Sequence, residues 1–168
     1  MGDPAVPQTA QTASDSVAEC RAEALRILAR RERTRRSLAV ALRKRFREEA
    51  IEAVVAELAS RRLVDDRRFA RLFIEQAVRR KPQSARSLEN RLRKEGCDAE
   101  TAREALREAR GDVEGFDEVS LARRLIEKKL RIGVRDRDKI LGALARKGFS
   151  RAVAIEAWAA VSREEAER

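Results

Sequence analysis

Two adjacent carboxylates, Asp65 and Asp66, and two cysteines, Cys20 and Cys97, are the first side chains of this 168-residue chain to suggest chemistry. Paired carboxylates can clamp a metal or divide acid and base roles, and a thiolate can attack or ligate. Neighbouring residues do not share a helix face, however, so Asp65 and Asp66 make a poor clamp. They sit directly before an amphipathic stretch, where carboxylates satisfy open amides and oppose the helix dipole. The cysteines are too far apart for a CxxC site, and the chain contains no histidine to activate them or to serve as a base. Both read as small core hydrophobes. The seven glycines are scattered, and neither GxxxxGK(S/T) nor GxGxxG occurs. The expectation is no enzyme, no catalytic residue, no cofactor and no metal.

Basic side chains are the more informative set. There are 39 Lys and Arg against 29 Asp and Glu, a net charge of +10. Arg30, Arg31, Arg33, Arg35 and Arg36 form one cluster, and Arg43, Lys44, Arg45 and Arg47 a second; only Glu32 interrupts residues 30–47. Arg79, Arg80 and Lys81, then Arg91, Arg93 and Lys94, are their counterparts further on. A solvated helix face is the ordinary reading of such runs, and a phosphate or acidic-protein contact stands beside it. The candidates for contact are Arg31, Arg35, Arg43, Lys44, Arg79, Arg80, Arg91 and Lys94. The aromatics Phe69, Phe73, Phe116, Phe149 and Trp158 fall on apolar stripes or staple positions, which predicts packing rather than base stacking.

The elements that would carry these residues repeat. Residues 69–109 lie over 121–161 at a constant shift of 52, with ten of 41 positions identical, including Leu92/Leu144 and Gly96/Gly148. Each copy reads as three helices. The first opens after Asp65 or Asp117, with Val64 or Phe116 stapling onto Phe69 or Leu121. The second carries Leu88 and Leu92, or Ile140 and Leu144, and stops at Gly96 or Gly148. The third opens on Asp98 or Ser150. An earlier, weaker copy has Val17, Ala24 and Leu28 inward on its first helix, Thr34 as a cap, Leu38 and Leu42 on its second, and no glycine at its middle turn. With aromatics at 4% and charged residues at 40%, a β-sandwich is excluded. The predicted fold is all-α: three tandem three-helix repeats, at residues 16–64, 65–111 and 112–168, forming an elongated, curved, monomeric array. Residues 1–15, rich in Pro, Gln, Thr and Ala, read as a disordered tail. No apolar run reaches the ~20 residues of a membrane span and the N-terminus lacks signal-peptide features, so the expected location is the cytoplasm.

The stretch 58–76, LASRRLVDDRRFARLFIEQ, resembles the RecX family of bacterial recombination regulators, whose hallmark is Leu-x-Asp-Asp-x-x-Phe-Ala. Here it is Leu63, Asp65, Asp66, Phe69 and Ala70. LENRLRKEGC (88–97) and ILGALARKGF (140–149) resemble the family's Leu-x-x-Lys-Gly phrase, and Leu28, Arg31 and Thr34 its opening phrase. Two departures concern loops: Phe46 stands where glycine is usual, and Lys-Pro-Gln-Ser-Ala occupies 81–85. The resemblance spans roughly residues 17–161.

That resemblance implies arrays of three-helix repeats that bind the RecA recombinase filament and suppress its ATPase and strand exchange, in recombination, DNA repair and the SOS response. It also implies that single- and double-stranded DNA are possible ligands. A different function class is compatible with the charge: a sequence-tolerant DNA-binding module that acts by coating nucleic acid. Truncation after residue 111 is expected to leave two folded repeats, and Leu63, Phe69, Leu88, Leu92, Leu144 and Trp158 are expected to serve the fold.

Overall fold

Caps set the frame of the molecule. A computed structural model describes residues 16–113 and 116–167, so the expected tail at 1–15 lies outside the described residues. Nine helices occupy the described residues: α1 (Val17–Arg30), α2 (Arg35–Leu42), α3 (Glu48–Ser60), α4 (Asp66–Arg80), α5 (Ala85–Glu95), α6 (Ala99–Asp112), α7 (Glu118–Arg131), α8 (Arg137–Arg146) and α9 (Arg151–Ala166). No strand occurs among them. Side-chain oxygens of Ser16, Thr34, Ser84, Asp98, Asp117, Asp136 and Ser150 accept from amides of the turn that each precedes. Thr34 goes further: its hydroxyl accepts from the Ser37 amide at 3.0 Å while Ser37 Oγ accepts from the Thr34 amide at 3.1 Å. That reciprocal box fixes the start of an eight-residue helix, too short to be stable alone.

The helices pack in threes in chain order, α1–α3, α4–α6 and α7–α9, the first and third of each trio making the broadest contact. Two compact units result, one ending at Asp65 and the other beginning at Asp66. In the first, Cys20 and Ala24 of α1, Leu38 and Leu42 of α2, and Ile51, Val54 and Leu58 of α3 close a core that Phe46 and Val64 complete. In the second, one continuous core runs through both trios, from Ala70 and Ile74 through Leu88, Leu92 and Phe116 to Ile126, Ile140, Leu144 and Val161. Each large aliphatic side chain in these cores contributes about 1.5–3 kcal/mol by leaving water.

Two expectations about facing residues need correction. Val17 is 39% exposed, and Cys20 and Ala24 fill the inward stripe of α1 instead. Leu63 is 45% exposed: after α3 the chain turns through Arg62 in the left-handed region (φ 55), which sends Val64 inward and Leu63 out. The predicted helix stops are left-handed as expected, Gly96 at φ 104 and Gly148 at φ 86, and Gly133 (φ 85) closes α7 in the same manner.

Within the second unit the two trios meet at a joint. The Ser84 amide donates to the Lys147 carbonyl (3.1 Å), and Glu118 Oε1 accepts from the Ala85 amide (2.6 Å). The approach is so close that a Cβ on Gly148 would lie 2.5 Å from Ser84 Oγ. Glycine at 148 is required twice over, by its dihedral and by its neighbour.

Candidate partner-binding surface

The second helix of each of the first two trios presents its polar face outward because Leu38 and Leu42, or Leu88 and Leu92, occupy the inward one. Cations gather at both ends of that helix. In the first unit, Arg31 follows α1 and Arg35 opens α2, whereas Arg43 and Lys44 follow its last turn; all four are exposed. Eight helical residues separate the two groups by about 12 Å. In the second unit, Arg79 and Arg80 end α4 beside the start of α5, and Arg91 and Lys94 lie in the far half of α5. Eleven residues give about 16 Å. Thus the eight candidates form two poles on each trio rather than one continuous patch.

They are not equivalent. Arg43 is engaged: its Nε and Nη2 donate to both Glu48 oxygens at 3.0 and 2.8 Å. The hydrogen bonds and charge of Glu48 raise the Arg43 pKa, and the same bonds hold the Glu48 carboxyl below its ordinary range. Arg91 is half-buried, with its guanidinium carbon 4.7 Å from the Phe73 ring centre, which in turn stacks against Phe69. Arg91 is therefore a packing residue with a cationic edge. Lys44, Arg79, Arg80 and Lys94 are exposed side chains. Arg45 lies against the Phe46 ring and near Glu23 (3.4 Å). Two features escaped the sequence reading. Val40, 52% exposed, sits one helical turn from both Arg36 and Lys44, and Arg86 joins Arg93 in extending the cationic face of α5. Their signal was present in the helical period once Leu38 and Leu88 were placed inward.

The cysteines are buried, and burial raises both thiol pKa values; Cys97, near Asp66, Asp98 and Glu95 as well, is pushed up to about 12. Neither is a nucleophile at neutral pH. Among the described residues no group of three His, Cys, Asp or Glu could hold a metal ion, and no helix is long and apolar enough to cross a membrane.

Comparison with known proteins gives this geometry a family. Residues 20–58 match the RecX first three-helix domain, and residues 65–106 match the RecX second three-helix domain. The regulatory protein RecX of Streptomyces coelicolor is 38% identical over 160 residues, covering 91% of this chain and 82% of its own. That of Thermus thermophilus is 34% identical over 141 residues, covering 83% and 90%. The crystal structure of RecX from Lactobacillus salivarius superposes with a TM-score of 0.69 at 22% identity, over 87% of this chain and 96% of that one. Three helical trios with this sequence relationship have one assignment: the chain belongs to the RecX family of regulatory proteins.

Proposed function

We propose that the chain regulates recombination and DNA repair by binding RecA-type recombinase filaments and inhibiting their ATPase and strand exchange, without catalysing a reaction itself. The observation that carries this reading is the recurrence of cations at both ends of an outward-facing second helix in two successive trios. Polyanionic or acidic surfaces are the natural complement of such poles. Weak contacts linked along one chain gain affinity by effective concentration, so a monomeric array of three repeats (residues 16–64, 65–111 and 112–168) can hold a filament that no single repeat would. Arg31, Arg35, Lys44, Arg79, Arg80 and Lys94 are the contact residues in this reading; Arg43 and Arg91 contribute through the surfaces that they order. The cytoplasm is where such a partner resides.

The second reading, coating of single- or double-stranded DNA, draws on the net charge of +10. One experiment separates them: recombinase ATPase and strand exchange are measured with the chain at micromolar concentration, with and without excess competing DNA. Inhibition that survives competitor supports filament binding, whereas inhibition that the competitor abolishes supports coating. If the folded chain leaves both activities unchanged, the regulatory reading is wrong.

A further inference from the structure

The joint between the middle and third trios leaves a groove of about 730 Å³ between the first half of α5 and the turn from α8 into α9. Arg86, Ser87 and Asn90 line it from α5, and Arg146, Ser150 and Val153 line it from the other side. Arg86 stands where α2 has Arg36, at a shift of 50, and Arg146 stands where α5 has Lys94, at a shift of 52. A cation thus recurs near the start of the second helix in the first two trios and near its end in all three. The hydrogen bond from the Ser84 amide to the Lys147 carbonyl brings the end of α8 to the start of α5. Two guanidiniums that are distant in the chain therefore share one groove.

Both side chains are exposed, and no carboxylate among the described residues pairs with either. Gly142 leaves room for the second: a Cβ there would lie 3.5 Å from Arg146 Nη1. Glu118 is the one anionic side chain in the lining, and its Oε1 is committed to the Ala85 amide at 2.6 Å. Asn90 adds an exposed carboxamide. Ser150 Oγ accepts from the Val153 amide, which leaves its hydroxyl proton to donate. Forked cations beside small neutral donors suit the oxygens of a phosphate. Phe149, the one aromatic in the lining, is 5% exposed, so a base has no ring to stack on and the backbone is what the groove can hold. The lining also lacks the exposed large apolar or aromatic anchor that affinity for a protein surface draws on, since its aliphatic members are Ala145 and the half-buried Val153.

We propose that this groove seats a backbone phosphate of nucleic acid, held by Arg86 and Arg146 with Asn90 and Ser150 as neutral donors. Nucleic acid as a ligand is the reading on which the seat rests. The test uses the full chain and a fluorescent single-stranded oligonucleotide. Arg86→Ala with Arg146→Ala is compared with Arg107→Ala plus Arg124→Ala, two exposed arginines outside the groove, so that both variants lose the same charge. Thermal melts establish that both fold. Across a salt series the groove variant should show a log–log slope shallower by about 0.7, the loss of one phosphate, and bind about fivefold more weakly at about 0.1 M salt. The control should keep the wild-type slope. Equal changes in both variants, or none in the groove variant, overturn the seat and leave DNA binding standing. Wild type that binds no oligonucleotide overturns both. A melting shift with a nucleoside monophosphate that only the groove variant loses, with oligonucleotide binding unchanged, assigns the groove to a small ligand and overturns the proposal. Loss of filament inhibition with oligonucleotide binding unchanged assigns it to an acidic protein face and overturns it too.

Discussion

Arg43 and Lys44 are adjacent cations with different availability. The Arg43 fork is closed on Glu48, so its charge reaches a ligand already compensated, while Lys44 projects from the end of α2. Lys44→Glu should therefore weaken duplex DNA binding and flatten its log–log salt slope by about one for each phosphate no longer neutralised. Removing the Arg43 pair together, by Arg43→Gln with Glu48→Gln, should leave the slope unchanged; fluorescence titrations across a salt series check both. A second residue-scale prediction concerns acid. Asp98 accepts from the Thr101 amide (2.8 Å) and hydroxyl (2.7 Å) and from the Glu100 amide (2.9 Å), and these bonds lower its pKa. A carboxyl whose pKa is depressed by folding contributes stability above its unfolded value, near 3.9, and loses it as pH falls through the lower folded value. Melting temperatures should thus be insensitive to this group from pH 7 to 5 and fall below about pH 4. Asp98→Asn, which caps without titrating, should reduce that acid dependence. Caps of this kind were legible because a side chain and an amide three residues on suffice to make them. Val17 and Leu63 were not, because which face is inward depends on neighbours distant in sequence.

Among elements, α8 and its closing turn separate two reasons for a glycine. Gly133 and Gly148 share a left-handed backbone, yet only Gly148 has Ser84 against it. Gly133→Ala should cost about 1–2 kcal/mol, the strain of the left-handed region alone. Gly148→Ala should cost more, since a serine side chain must also move. Ser84→Gly removes the obstructing atoms at small capping cost, so the double variant should recover part of the Gly148→Ala loss. Chemical denaturation of the four proteins reads this as a coupling energy; strict additivity would mean that the dihedral is the whole reason. The sequence placed both helix ends at Gly96 and Gly148, and it noted that the first trio has Phe46 instead. What it lacked was the joint. The second reason for glycine at 148 arises from a residue 64 positions earlier in the chain, brought near only by packing.

For the whole molecule, the boundary that matters is the one after Asp65, where one core ends and the next begins. Cutting at residue 111 was expected to leave two folded repeats. The continuous core of α4–α9 predicts otherwise: the cut removes Lys147 and Glu118 from the joint and Phe116, Leu121, Ile126, Ile140 and Leu144 from the core cluster that α4–α6 share with them. A 1–111 fragment should show a second trio that melts well below the first and exchanges its amides faster; hydrogen exchange across residues 66–111 checks it. Equal protection in fragment and full chain would mean that the middle trio is self-sufficient.

The all-α class, most helix starts, the glycine stops and the family relationship were decided by the sequence alone. Each depends on interactions within one helical turn or on a pattern repeated along the chain. The division into two cores, the exposure of Val17 and Leu63, the pairing of Arg43 with Glu48 and the buried joint at Ser84 were decided by tertiary structure. In these cases each outcome is a choice among faces that are chemically similar in isolation. Only the arrival of another helix, with its own volume and charges, makes one face inside and the other available to a partner.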